Sequence, residues 1–167
     1  VMIRSGVTWT LDNSVIVFGA GGGGSVTIRG EGPPQGARFV IPSPGDSVLQ
    51  VNYTAINSYA VGFVGASTVQ SSILLQNLTI IDISTLDHNV GPAQTLFLTA
   101  NITLDNVIWK LPNLANSGLN MGVADGEFKC NFLTMIGGGA LCDQGLILRM
   151  GNTPATVAHM QVNNLII

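Results

Sequence analysis

The fold of this chain is decided by the stretch Ser72-Ile73-Leu74-Leu75-Gln76-Asn77-Leu78-Thr79-Ile80-Ile81. It consists of two short apolar runs joined at one asparagine, Asn77. Short apolar runs bounded by turn-forming residues predict buried β-strands. Asparagine tolerates left-handed backbone geometry, so Asn77 predicts a bend between the two strands.

The same strand–Asn–strand unit returns along the sequence. The later copies are Ile102–Trp109, Phe128–Met135 and Met160–Ile167, and a glycine version occurs at Val26–Gly30. The predicted bend residues are Gly30, Asn77, Asn106, Asn131 and Asn164, and the four asparagines are spaced by 29, 25 and 33 residues. Recurrence at about 20 to 50 residues indicates a repeat architecture. We therefore predict one solenoid coil per repeat, with the asparagine side chains stacked in an amide hydrogen-bond ladder.

Each predicted coil has three strands: a first strand, a second strand that ends at the bend, and a third strand after it. First strands are assigned to five β-rich runs: Ser14–Phe18, Ser47–Val51, Thr95–Thr99, Leu119–Val123 and Leu146–Met150. Near-continuous apolar runs are typical of stacked parallel strands. A loop is predicted at Thr85–Pro92. For residues 52–71 two interpretations stay open: Asn52 bends a coil of its own, or the segment is a long insertion.

The composition fits a buried all-β chain and argues against several function classes. Charged residues make up 9% and the mean hydropathy is +0.44, but no run approaches the roughly 18 to 20 apolar residues of a membrane-spanning helix. The six Lys and Arg residues are spread singly, whereas nucleic-acid binding needs clustered cations. The glycine-rich run 19–24 precedes a strand rather than a helix, so no dinucleotide cofactor is expected. Residues 1–167 are predicted to form a single solenoid domain, a segment of a longer protein.

The pattern resembles the right-handed parallel β-helix superfamily, which has the pectate-lyase-like fold. The resemblance is carried by Ser25–Gly32 and by the later bends of the Leu-x-Asn-Leu-Thr-Ile type, and it covers nearly the whole chain. It implies an all-β, right-handed parallel β-helix (β-solenoid) with three strands per coil. The superfamily includes lyases, hydrolases, phage tailspikes, adhesins and inert surface proteins, so the fold leaves the activity open.

Enzymes of that superfamily use Asp or Glu on the outer face of the first-strand sheet. The five predicted first strands contain no carboxylate, although sugar hydrolysis needs a carboxyl pair and calcium needs about six to eight oxygens. The acid–His group Asp82, Asp87 and His88, and the acids Asp125 and Glu127, are interpreted as solvated turn residues. No catalytic residue and no metal site is therefore predicted.

Cysteine and asparagine residues suggest two kinds of covalent change. Cys130 and Cys142 lie 12 residues apart, which is compatible with a disulfide or with two packed thiols. Asn52 and Asn101 begin Asn-x-Thr sequons and are the candidate glycosylation sites, Asn101 being expected at an exposed corner. Asn77 begins a third sequon but is assigned to the buried ladder.

These observations predict a non-enzymatic structural segment of an extracellular or cell-surface protein, such as a stalk, an adhesin, or an appendage or filament component. Its expected partners are other segments or subunits of a surface assembly, with carbohydrate as a further candidate. The alternatives are a polysaccharide lyase or glycoside hydrolase whose catalytic coils lie outside this segment, and a carbohydrate-binding β-helix. In the last, exposed aromatic residues such as Trp9, Trp109, Tyr53 and Tyr59 would stack on sugars, although Trp109 also suits packing against a neighbouring coil. His159 is interpreted as a partly buried strand residue.

Overall fold

A computed structural model of the chain describes residues 1–18, 24–31, 47–52, 54, 61–65, 71–86, 89–92, 100–114, 118–123, 126–137, 139–140, 146–150 and 158–167. Within these ranges the chain is all-β and contains no helix. The described strands are β1 (Met2–Ile3), β2 (Thr8–Asp12), β3 (Val15–Phe18), β4 (Gly24–Gly30), β5 (Val48–Asn52), β6 (Val61–Gly65), β7 (Ser71–Asp82), β8 (Asn89–Pro92), β9 (Ala100–Lys110), β10 (Gly118–Val123), β11 (Gly126–Ile136), β12 (Leu146–Met150) and β13 (Ala158–Ile166).

The larger of two sheets joins eight of these strands. Its path runs β1–β4–β7–β9–β11–β13, and β2 and β5 extend it because β5 pairs with β2 on one side and with β7 on the other. β4 lies beside the first half of β7, and β5 lies beside the second half. Every one of these pairs is parallel, so the prediction of an all-β chain with stacked parallel strands is confirmed.

The smaller sheet has the order β12–β10–β8–β6–β3, again with parallel pairs. The predicted first strands 14–18, 119–123 and 146–150 coincide with β3, β10 and β12. Thr95–Thr99 lies outside the described residues. The small-sheet strand β8 is at Asn89–Pro92, so the loop predicted over Thr85–Pro92 ends earlier than expected.

The assignment of Ser47–Val51 as a first strand is wrong. This run forms β5 in the larger sheet, where Leu49 and Val51 are fully buried in register with Ile80 and Asp82. The corresponding strand of the smaller sheet is β6, at Val61–Gly65. Residues 52–71 therefore contribute a paired strand rather than only an insertion.

One extra residue at each bend keeps both halves of a long strand facing the same core. Along β11, Phe128 and Cys130 are buried before the bend, and Leu133 and Met135 are buried after it. Side chains alternate strictly between the two faces of a strand, so without this residue the second half would expose its apolar face. The same phase change occurs in β7, where Leu75 and Leu78 are both fully buried.

The bend residues form one column across the larger sheet. Left-handed backbone geometry occurs at Asn77, Asn106, Phe132 and Asn164, with φ of 53°, 55°, 58° and 58°. The flanking registers place these four residues side by side. The prediction of Asn131 is wrong by one position, because Asn131 pairs with Asp105 and Asn163, one residue before the bend.

Amide hydrogen bonds run along two neighbouring columns. In the bend column, Asn106 Nδ2 donates to Asn77 Oδ1 at 2.9 Å. One position earlier, Gln76 Nε2 donates to Asp105 Oδ2 at 2.8 Å, and Asn163 Nδ2 donates to Asn131 Oδ1 at 3.0 Å. Asn131 thus takes part in a side-chain ladder although it does not form the bend.

Gly30 occupies the bend column opposite Asn77, but its φ is not positive. A Cβ at Gly30 would collide with the carbonyl oxygen of Asn77 and would lie 2.5 Å from the Cβ of Ser47. Ser47 is buried there; its Oγ donates to Ile3 O at 2.6 Å and accepts from Glu31 N at 3.0 Å. The predicted left-handed role of Gly30 is therefore replaced by a requirement for close approach.

We expect Asn106→Ala to lower the free energy of unfolding by about 2–3 kcal/mol and Asn106→Gly by about 1.5 kcal/mol. Both variants lose the hydrogen bond to Asn77, worth about 1 kcal/mol. Alanine also carries a Cβ in the left-handed region, at a cost of about 1–2 kcal/mol, while glycine adds a smaller entropic cost. Urea unfolding of both variants tests the order, and a larger loss for glycine would contradict the left-handed bend.

We expect Gly30→Ala to cost about 3 kcal/mol, because the added methyl meets backbone and a buried side chain that cannot move aside. Gly137→Ala is the matched control, since a Cβ at Gly137 has nothing within 4 Å. The control should change stability by less than about 1 kcal/mol in either direction. Thermal unfolding of both variants measures the contrast, and equal effects would show that the space around Gly30 is not restricted.

Candidate functional site

Polar side chains on the outward face of β11 and β13 form the candidate site. Phe128 and Cys130 are buried, so the alternation of the strand directs Glu127 and Lys129 to the opposite face. The register sets His159 beside Glu127 and Gln161 beside Lys129. Residues 127–129 and 159–161 line an open groove of about 320 Å³. We refer to it below as the β11–β13 groove.

An exposed ion pair lies in the β11–β13 groove. Lys129 Nζ is 2.7 Å from Glu127 Oε2, and the two side chains are 43% and 45% exposed. The hydrogen bond and the positive charge of Lys129 lower the pKa of Glu127 below its ordinary value of 4.5. His159 adds a smaller effect in the same direction, and partial desolvation opposes both.

The lowered pKa of Glu127 does not suit a general acid. A general acid near neutral pH needs a raised pKa, whereas Glu127 is held in its ionised form. Within the described residues, no group of three or more His, Cys, Asp and Glu side chains could hold a metal ion. The β11–β13 groove offers three kinds of hydrogen-bonding side chain, namely the carboxylate of Glu127, the ammonium of Lys129 and the amide of Gln161.

Asn101, a candidate glycosylation site, lies next to the β11–β13 groove. It is half-buried within β9 rather than at the exposed corner expected from the sequence. Its Oδ1 accepts a hydrogen bond from the backbone nitrogen of Glu127 at 3.0 Å. The corner placement is thus corrected, because the side chain links β9 to β11. Glycosylation of Asn101 stays a prediction.

Asn52, the other candidate glycosylation site, ends β5 opposite Asp12. Its φ is not left-handed, so it does not form a bend like that of Asn77. Asn52 Nδ2 donates to Asp12 Oδ1 at 2.8 Å. Thr54 of the same sequon bonds to Asn13 through both its backbone nitrogen and its hydroxyl. A sugar on Asn52 Nδ2 would compete with the bond to Asp12, and glycosylation here also stays a prediction.

Cys130 is a free thiol in the core, and Cys142 lies outside the described residues. Cys130 faces inward between Leu104 and Val162 in register. This burial raises the pKa of the Cys130 thiol to about 11, so the sulfur is protonated near neutral pH and is a weak nucleophile. Because Cys142 lies outside the described residues, the choice between a disulfide and two packed thiols stays open.

The predicted acid–His group is only partly described. Asp82 is buried rather than solvated, because it takes an inward position opposite Val51. Its Oδ1 accepts a hydrogen bond from Ser84 N at 2.9 Å, which closes a turn after β7. Asp87 and His88 lie outside the described residues.

Glu127 and His159 depart from their sequence-based interpretations. Glu127 lies in strand β11, not in a turn, while Asp125 lies outside the described residues. His159 is exposed on β13 rather than partly buried. The alternation of β11 and β13 could have shown that the two residues are neighbours. Each directly precedes an inward apolar residue, Phe128 or Met160, and these two are paired in register.

Trp109 is a core residue rather than a sugar-stacking surface. It is fully buried in register with Ile80 and Met135. Its indole Nε1 has no hydrogen-bond acceptor among the residues that the structure describes. Trp9 is only partly buried, but it packs against the core cluster.

We expect Lys129→Met to raise the pKa of Glu127 towards 4.5, because the hydrogen bond and the positive charge are both removed. His159→Gln should raise it by a smaller amount. The folded-state pKa is lowered, so the contribution of Glu127 to stability is present above its ordinary pKa and is lost as the pH falls through the lowered value. Carboxyl-carbon NMR titration measures both variants, and a larger effect for His159→Gln would contradict the pairing.

The part of the chain that the structure describes has no apolar helix of the length needed to cross a membrane. Comparisons with protein-family models, with curated proteins and with solved structures found no match to this chain.

Proposed function

We propose that this chain is a right-handed parallel β-helix with three strands per coil. The order of its strands supports this proposal, because the chain visits the smaller sheet once between successive visits to the larger one. Each return adds a parallel strand beside the previous one, as expected for a chain wound around one axis. In this view β3, β6, β8, β10 and β12 are the first strands, and the bend column separates second from third strands.

We further propose that the β-helix is a non-enzymatic structural segment of an extracellular or cell-surface protein, as in a stalk, an adhesin or a filament. The observation that carries this is that acidic side chains of the larger sheet are bonded to neighbouring amide and amine side chains. Asp105 is bonded to Gln76, and Glu127 is paired with Lys129. The bond of Asp105 joins β9 to β7, and that of Glu127 lies within β11. In both cases the partner of the carboxylate is not a second carboxyl group, whereas sugar hydrolysis requires a carboxyl pair.

Carbohydrate binding is the second candidate function, and the β11–β13 groove favours it. Glu127 and Gln161 supply acceptors, while Lys129 and Gln161 supply donors, on the outward face of two paired strands. Sugar hydroxyls need both kinds of partner. In the enzyme alternative, a lyase or hydrolase of the same fold, the catalytic coils would lie outside this segment.

Location and activity can be tested together on the full-length protein. Antibodies raised against the 167-residue chain would be applied to intact and to permeabilised source cells. The captured full-length protein would then be incubated with acidic and neutral polysaccharides, and the release of new chain ends measured. We expect labelling of intact cells and no cleavage.

Three outcomes would contradict the structural proposal. If the antibodies label cells only after permeabilisation, the proposed location at the cell surface is contradicted. Cleavage by the captured protein would favour the enzyme, and retention on a polysaccharide column without cleavage would favour the binding function. For the last case, Gln161→Ala should reduce retention, whereas Thr10→Ala, an exposed site on β2 away from the groove, should not.

A further inference from the structure

We propose that Glu127 and Lys129 set the register of β11, by preventing its bend from moving one residue back to Asn131. The bend lies at Phe132, with a φ of 58°, although asparagine tolerates left-handed geometry better than phenylalanine. The pairs with β9 and β13 fix the bend at Phe132 once the register is set. What sets the register is the choice of side chains that face the core. This inference goes beyond the proposed function and does not depend on it.

Moving the bend to Asn131 would slide β11 by one residue and exchange its two faces. Lys129 would then take the place of Cys130. Glu127 would take the place of Phe128. The present occupants of these two positions are each 1% exposed, so both charges would leave water for the core. Burying charged groups is unfavourable, and the side chains at 127 and 129 therefore oppose the shift.

The half of β11 after the bend opposes the shift less strongly. There the inward residues Leu133 and Met135 would exchange places with Phe132 and Thr134. Phe132 is apolar, and Thr134 is small and uncharged, so neither would bring a charge into the core. The main cost of the shift therefore lies before the bend.

The strands on either side of β11 show the same relation between the bend and the outward face. Asp105 directly precedes the bend of β9, and Asn163 directly precedes that of β13. Aspartate and asparagine both tolerate left-handed geometry, so each strand has a second position at which it could bend. The outward residues before these bends are all polar: Asn101 and Thr103 in β9, and His159 and Gln161 in β13.

β7 differs in both respects. Gln76 precedes its bend, and glutamine is not among the residues enriched in left-handed geometry. Here an apolar residue, Leu74, occupies the outward position in register with Thr103. An apolar outward side chain is thus found in the long strand that lacks a second bend position, as expected if polar outward residues exclude the shifted register.

Cys130 reports the register, because it faces the core only when the bend is at Phe132. Burial raises the pKa of its thiol to about 11. After a shift of one residue the thiol would face water and would react readily with a thiol reagent. The chain has two cysteines, so the experiment uses a Cys142→Ser background in which Cys130 is the single thiol.

The experiment measures the rate at which Cys130 of the folded chain is labelled by dithiobisnitrobenzoate. We expect the leucine variant, Glu127→Leu with Lys129→Leu, to be labelled about tenfold faster or more, because the shifted register no longer buries charge and becomes populated. The glutamine variant, Glu127→Gln with Lys129→Gln, is the matched control. It should stay within about threefold of the background rate, because unpaired amides are also costly to bury.

A rescue variant separates a moved bend from a loosened strand. Adding Asn131→Val to the leucine variant should return the labelling rate to within about threefold of the background, because a β-branched residue disfavours left-handed geometry. Asn131→Val also removes the hydrogen bond from Asn163. Loss of that bond would speed labelling, so a slower rate cannot come from it.

Three results would overturn the proposal. If the leucine variant is labelled at the background rate, Glu127 and Lys129 do not set the register. If Asn131→Val leaves the fast labelling unchanged, the leucine side chains loosen the strand without moving its bend. If the glutamine variant is labelled as fast as the leucine variant, loss of the ion pair is the cause.

Circular dichroism checks that each variant keeps its strands. If the leucine variant does not fold, Lys129→Leu is measured alone, with an expected rise in the labelling rate of about threefold because one of the two charges is removed. No rise in that variant would equally overturn the proposal.

Discussion

Parallel pairing on both sides of each strand is the constraint on which this structure depends. The core is built along the direction of strand stacking, so an inward side chain is covered chiefly by its equivalents in the adjacent strands. Phe128, with a strand on each side, is 1% exposed, while Met160, with a strand on one side, is 38% exposed. The stability of each strand therefore depends on its neighbours, and substitutions in adjacent inward positions should not act independently.

The bend is the second requirement, because it sets which face each half of a long strand buries. One residue in left-handed geometry shifts the alternation, so Cys130 before the bend and Leu133 after it both enter the core. Asparagine meets this requirement at Asn77 and Asn106, and their side chains also bond to each other. Phe132 takes the same left-handed geometry, although phenylalanine does not favour it. Its position is fixed by the eight registered pairs between β9 and β11, so pairing outweighs local preference there.

Much of the fold could be predicted from the sequence, because inward positions repeat the same chemistry. The apolar runs around Asn77 and Asn106 identify the long strands, and their spacing of 29 residues equals the register between β7 and β9. What could not be predicted depends on contacts between repeats. Ser47–Val51 looks like any other β-rich run, and only its pairing with β7 assigns it to the larger sheet. The need for glycine at Gly30 is equally nonlocal, since it comes from Asn77 and Ser47.

The candidate site was harder to predict than the fold for a related reason. Placing the bend at Asn131 instead of Phe132 shifts the inferred register by one residue, and Glu127 then falls opposite Met160, an inward residue. With the observed bend, Glu127 lies opposite His159 on the outward face. A one-residue error in the register leaves the fold class unchanged, because the same segments are still strands. It does, however, place inward side chains on the outward face and outward side chains on the inward face. The register decides which outward side chains are neighbours. Predicting function on such a sheet therefore requires the exact register.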